Sequence, residues 1–209
     1  MKETIQKWKY SAQDYSICYP FIKTYLLVPI ANYIPYSVSP NIISLIGLMF
    51  TLINAAICYY SPQLTFQQIG LICFFQFLAF FFDALDGRQG IKWKDDKRDV
   101  YVLTQLYDHG IDSITGFFNV YIVSYVFEFS SQHQKLLWMM INATFLISIL
   151  FYKIKHHLVF GVQNNPTEVV LMSINLMMFS GYFQMNTIIN HYLNNINTFI
   201  RSLRIVHTL

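Results

Sequence analysis

Charged side chains are scarce: Asp, Glu, Lys and Arg make up 12% of the 209 residues, against about 25% in an ordinary soluble domain. That deficit argues against a water-soluble globule. The formal charge of +3 is too small to argue for a nucleic-acid partner. Cysteine is sparse, and Cys18, Cys58 and Cys73 lie in or beside apolar runs, with neither metal-ligand spacing nor a disulfide framework. Residues 1–16 are polar and lack the positive-then-apolar layout of a signal peptide. Repeats and low-complexity tracts are also missing.

What the chain has is apolar length. Hydrophobic residues make up 55% of it, with 19 Phe and 15 Tyr, a mixture suited to hydrocarbon and its interfaces. Several runs approach the roughly 20 residues needed to span a bilayer. The expected fold is an all-α integral membrane protein, a bundle of about five to six transmembrane helices preceded by an interfacial amphipathic helix.

Residues 17–37 contain Pro20, Pro29 and Pro35, which argue against one continuous span and for a helix lying along the interface. Ser39-Pro40-Asn41 reads as a helix start. Spans are expected over residues 42–60, 67–86, 103–129, 136–152 and 167–183. A short uncharged turn around Pro62 and a solvated loop over 88–99 lie among them. Three regions follow: 1–38, the cytosolic N-terminus and interfacial helix; 39–185, the membrane domain; and 186–209, an Asn-rich, weakly apolar tail with at most a partial span. Lys2, Lys7, Lys9, Lys23, Arg88, Lys92, Lys94, Lys97, Arg98, Lys153 and Lys155 fall on one side of this layout, and Lys135 on the other. The basic side is cytosolic by the positive-inside rule.

Four acids break the apolar pattern. Asp83 and Asp86, in FFDALDG, are three apart at the end of the second span; Asp108 and Asp112, in LYDHGIDS, are four apart at the start of the third. Either spacing puts both carboxylates on one helical face. An aspartate inside a span costs roughly 2.5–3.5 kcal/mol on insertion scales and is functional by default. Like charges gathered at one depth call for divalent cations, and hard oxygen ligands suit Mg²⁺, Mn²⁺ or Ca²⁺. A metal site beside a basic cytosolic loop points to a phosphate-bearing substrate. The bland alternative makes them helix caps or partners, with Asp108 opening the third helix and Asp83 pairing with Arg88. Gly87 and Gly110 would admit substrate or backbone, or serve packing.

This stretch resembles the signature of the CDP-alcohol phosphotransferase family, D-x2-D-G-x2-A-R-x8-G-x3-D-x3-D, on Asp83, Asp86, Gly87, Asp108 and Asp112. DGRQ (86–89), QLYDHGIDS (105–113), KYSAQDYS (9–16), SPNIISLIG (39–47) and NPTEV (165–169) resemble its choline- and ethanolaminephosphotransferase branch. The resemblance implies transfer of phosphoethanolamine or phosphocholine from CDP-ethanolamine or CDP-choline to diacylglycerol, releasing CMP. It implies two divalent ions, Mg²⁺ or Mn²⁺, held by Asp83, Asp86 and Asp108. Asp112 would be metal-linked and the catalytic base, with His109 as another candidate base or a helix-start residue. Gly87, Arg88 and Lys92 would lie at the nucleotide. Glu168 would support the site or favour a helix N-terminus. An endoplasmic-reticulum or Golgi membrane, a cytosol-facing site and a homodimer are compatible with the resemblance.

The pattern departs in places. Gly90-Ile91 replaces Ala-Arg, Thr104 replaces the next glycine, and residues 92–103 exceed the family's x8. FYKIKHH (151–157) has neither the Trp nor the acid usual there, and branch members are usually longer. Other readings are a family member with another acceptor such as inositol, a degenerate or truncated member acting as a binding subunit, and, most remotely, a cation transporter.

Overall fold

The computed structural model describes residues 12–14, 16–95, 101–155, 158–160, 166–183 and 191–198. Among them the regular structure is helical apart from two three-residue strands. The elements are β1 (Ala12–Asp14), α1 (Tyr19–Ile22), a π-helical stretch (Lys23–Leu27), α2 (Val28–Tyr33), α3 (Pro40–Tyr60), α4 (Phe66–Asp95), α5 (Tyr101–Val126), α6 (Ser131–Lys155), β2 (Leu158–Phe160) and α7 (Pro166–Phe183). Residues 191–198 form a further helical segment in the tail.

The three N-terminal prolines sit where a helix tolerates them. Pro20 lies in the first turn of α1, where its missing N–H has no intrahelical role. Pro29 follows the π-helical stretch, whose wider turn accommodates a ring that would crowd the carbonyl four residues back. Pro35 lies beyond α2. The segment is amphipathic: Leu27 and Ala31 are buried while Phe21, Tyr25 and Tyr33 are exposed.

At the start of α3, Ser39 Oγ accepts from Asn41 N at 3.3 Å and Pro40 takes the first helical position, the signal present in the sequence. Thr65 and Gln68 cap α4 reciprocally: Thr65 Oγ1 accepts from Gln68 N and Gln68 Oε1 from Thr65 N, a capping box. Among the described residues, two helical stretches are long and apolar enough to cross a membrane, Pro40–Tyr60 and Phe66–Trp93.

Packing centres on α3, which lies against both α4 and α5; α4 also contacts α7, and α5 contacts α6. The buried face of α3 carries Ser44, Gly47, Thr51, Asn54, Ala55 and Cys58. Small residues on such a face let helix backbones approach closely and gain dispersion contacts. Asn54 Nδ2 donates to Ile72 O at 3.0 Å across this face. Two apolar clusters fill the bundle. One joins Leu27, Ala31, Ile43, Phe81 and Leu85, where the α1–α2 segment meets α3 and α4; the other joins Ala55, Cys58, Ile69, Ile72, Ile122, Val126 and Met177 at the opposite end.

One expectation is corrected and one small element is added. The loop over 88–99 is helical as far as Asp95, because Gln89, Lys92 and Trp93 bind carbonyls at and beyond the end of α2 (below), so the charged stretch has a docking surface. The fold also includes a parallel β1–β2 pair, with Ala12 opposite Leu158, Gln13 opposite Val159 and Asp14 opposite Phe160. Two extended segments meet there from distant parts of the chain, and such short strands carry no periodic signal.

Candidate metal and active site

α4 and α5 bring the aspartates together. Carboxylate oxygens of Asp83, Asp108 and Asp112 all lie within 4.8 Å of one another. Asp108 lies two turns inside α5, which begins at Tyr101, so it does not open the helix as the capping alternative required. Asp83 is exposed and Asp108 and Asp112 are half-buried, so the cluster opens to one side. Three carboxylates at this spacing repel by on the order of 3 kcal/mol per pair at an effective dielectric constant near 20. A divalent cation relieves that repulsion.

The donor set fits a hard cation: it is all carboxylate oxygen, with no thiolate or imidazole in the group, as Mg²⁺ and Mn²⁺ prefer. Oxygens in one octahedral shell are about 3 Å apart, so small side-chain rotations would close this set. Three protein ligands would leave positions for substrate oxygens.

Asp86 lies outside the three-residue group. It is 5% exposed and accepts a hydrogen bond at Oδ2 from Ser44 Oγ of α3. Gly47, one turn further along α3, sets how closely that helix approaches. A Cβ there would stand 3.2 Å from Ala79 O and 3.7 Å from Asp83 N. Gly87 and Gly110 differ: a Cβ at either would meet nothing within 4 Å. Each costs about 1 kcal/mol against alanine in a helix, and no close backbone approach accounts for it. His109 falls inside α5 rather than at its start; its side chain is outside the described set.

Arg88 and Lys92 of α4 face the segment from α1 to the end of α2. Arg88 Nη2 donates to Tyr19 Oη at 3.0 Å, with the guanidinium over that ring. Lys92 Nζ donates to Ala31 O and Ile34 O at 2.6 and 2.9 Å, capping the carbonyl end of α2, and lies over the Tyr36 ring. Gln89, fully buried, donates from Nε2 to Pro35 O and Val38 O, and Trp93 Nε1 to Tyr36 O. Phe81, Leu85, Gln89 and Lys92 recur every three or four positions, a helical period that was visible through the charge.

Glu168, in the first turn of α7, does more than complement a helix dipole. Its Oε1 accepts from Ser16 Oγ, Ile17 N and Cys18 N, and Ser16 Oγ accepts from Tyr19 N. One carboxylate thus ties α7 to the entry of α1, and Tyr19 continues the connection to Arg88. Composition could not show this link; the resemblance of KYSAQDYS and NPTEV to segments of one family was its only trace.

No family model matches the chain. It is 35% identical over 130 residues to an uncharacterised CDP-alcohol phosphatidyltransferase class-I family protein of Schizosaccharomyces pombe, covering 56% of this chain and 31% of that one. It is 34% identical over 119 residues to choline/ethanolaminephosphotransferase 2 of Arabidopsis thaliana, covering 53% and 28%. The chain is similar to members of the CDP-alcohol phosphatidyltransferase class-I family. A class-I family protein of Dictyostelium discoideum is 28% identical over 193 residues, covering 87% of this chain and 46% of that protein. Against these family members the chain spans 28–46% of the relative's length.

Proposed function

We propose that the chain transfers phosphoethanolamine or phosphocholine from CDP-ethanolamine or CDP-choline to diacylglycerol and releases CMP. The observation that carries this reading is the meeting of Asp83, Asp108 and Asp112 from two helices, in a chain whose relatives include choline/ethanolaminephosphotransferases. In the proposal, Asp83, Asp86 and Asp108 hold two divalent ions, Mg²⁺ or Mn²⁺, and Asp112 shares them. When bound, the ions offset charge on the phosphoryl oxygens. The acceptor hydroxyl oxygen bonds to the phosphorus bearing the alcohol as that phosphorus releases the oxygen of CMP. Asp112 takes the hydroxyl proton, with His109, one residue after Asp108, as the other candidate base. Gly87 and Gly110 leave room for the nucleotide beside the carboxylates. Arg88 has N–H donors beyond the one given to Tyr19 and faces the phosphates. Lys92 stays with α2 and acts on the nucleotide end only through the fold.

The setting is proposed to be a membrane. α3 through α7 supply five spans within residues 39–185, residues 1–38 lie at the cytosolic interface, and 186–209 form a tail. A cytosol-facing site in the endoplasmic reticulum or Golgi lets a water-soluble nucleotide approach while the lipid enters sideways. A homodimer is compatible with this arrangement.

The test is CMP release by the membrane-embedded chain given diacylglycerol, CDP-ethanolamine or CDP-choline, and Mg²⁺ or Mn²⁺, with Asp108→Asn as control. Metal-dependent release lost in the variant supports the reading and identifies the head group. The replacement of Ala-Arg by Gly90-Ile91 favours a second reading, a member that binds the CDP-alcohol without turnover; nucleotide binding with no release would select it. Release only with inositol as acceptor would overturn the diacylglycerol assignment.

A further inference from the structure

At the end of the bundle opposite the aspartates, two cavities adjoin. One, of about 750 Å³, lies among α3, α5 and α6 and is walled by Leu52, Ala56, Phe117, Trp138 and Met139, with Lys135 its sole charged lining residue. Its volume falls within the range of about 300–1,000 Å³ typical of small-molecule sites. The other, of about 860 Å³, is lined by polar groups including Gln63, Ser124, Tyr125, Glu128 and Gln134. Tyr121 and Gln134 belong to both linings, so one occupant can reach from an apolar chamber into a polar one.

Three observations define that occupant. Ser124 is 4% exposed, and its Oγ is buried without a hydrogen-bond partner, a condition that costs free energy until a ligand or water satisfies it. Lys135 has no carboxylate beside it in the apolar cavity, so its charge matches an anionic group. Glu128, the single carboxylate lining the polar cavity, matches a cationic one. Aromatic residues typical of a bilayer interface, Tyr59, Tyr60 and Trp138, also line the apolar cavity.

We propose that this pair of cavities binds one zwitterionic bilayer phospholipid, separate from the lipid acceptor at the aspartates. Its acyl chain lies among Leu52, Ala56, Phe117 and Met139. Its phosphate meets Lys135 and the Ser124 hydroxyl, and its amino group faces Glu128. From Asp112 to Ser124 along α5 is about 18 Å at 1.5 Å per residue, past the middle of a roughly 30 Å hydrocarbon core, so the headgroup lies in the opposite leaflet. The inference rests on the membrane placement proposed above and not on the transfer reaction.

The test uses the full chain in nanodiscs doped with phosphatidylcholine carrying a diazirine on one acyl chain, and in parallel with diacylglycerol carrying the same group. Phosphatidylcholine is expected to label residues 117–139. Ala56→Trp, which fills the chamber, should cut that labelling about tenfold, as should Lys135→Glu, on the scale of a charge-assisted contact. Diacylglycerol labelling there should be weaker and indifferent to Lys135→Glu. Since Lys135 is exposed, its replacement leaves the packing intact. Labelling unchanged by either substitution would reduce the lipid to ordinary surrounding bilayer and overturn the proposal. So would equal labelling by diacylglycerol, or its absence with crosslinks between two copies instead. The readout needs no turnover, so a catalytically silent chain gives the same answer.

Discussion

Glu168 accepts a hydrogen bond from the hydroxyl of Ser16 at 2.6 Å, across 152 positions of sequence. The same oxygen takes the backbone N–H groups of Ile17 and Cys18. A single carboxylate therefore anchors the entry of α1 to α7. Glu168→Gln keeps the shape but loses the charge and should weaken this anchor by about 1–2 kcal/mol. Hydrogen exchange at residues 17–22 should accelerate while exchange in α3 stays unchanged; equal protection in the variant would mean that packing alone holds the helix.

Lys92 tests whether a basic residue of α4 serves the fold or the nucleotide. Its ammonium binds Ala31 O and Ile34 O, so Lys92→Met should lower stability by about 1.5–3 kcal/mol. The apparent KM for the CDP-alcohol should move little at a temperature where the variant is folded. A large rise in KM at undiminished melting temperature would return Lys92 to the nucleotide site.

Gly47 holds α3 and α4 close beside Asp83. Gly47→Val would press methyl groups into the Ala79 carbonyl, 3.2 Å from the Cβ position. Overpacking against helix backbone costs typically 1–3 kcal/mol. The melting temperature should fall, and Mn²⁺ affinity should fall with it because the helix bearing Asp83 is displaced. Gly87→Ala, with open space around it, should raise melting by the roughly 1 kcal/mol that alanine gains over glycine in a helix, while nucleotide binding falls.

Removing one acid from the cluster should change stability in opposite directions with and without metal. Asp108→Asn relieves repulsion among three carboxylates within 4.8 Å, so the metal-free protein should melt higher than wild type. Saturating Mg²⁺ or Mn²⁺ should raise the wild-type melting temperature by mass action and the variant's far less. An identical metal response in both would remove Asp108 from the proposed ligand set.

The helical character and most helix boundaries were legible in the sequence. Ser39-Pro40 marks the start of α3 because proline at the first position and a side-chain acceptor before it act locally. The same-face spacing of each aspartate pair was legible too, being a property of one helix. The extent of α4 was misread because charge between residues 88 and 99 suggests solvent; the carbonyls at and beyond the end of α2 that accept from Gln89, Lys92 and Trp93 belong to another segment. Asp86 shows the same limit, since its Ser44 partner lies 42 residues away.

By itself, then, the sequence determined what local forces control: apolar helices of bilayer length, their caps, and two pairs of acids on helical faces. Tertiary structure alone decided which acids share a space, how the Gly47 gap sets their approach, and that Glu168 and Lys92 hold the segment from Ser16 to Ile34. These depend on contacts between residues far apart in the chain, and neither periodicity nor composition encodes which distant donor finds which acceptor.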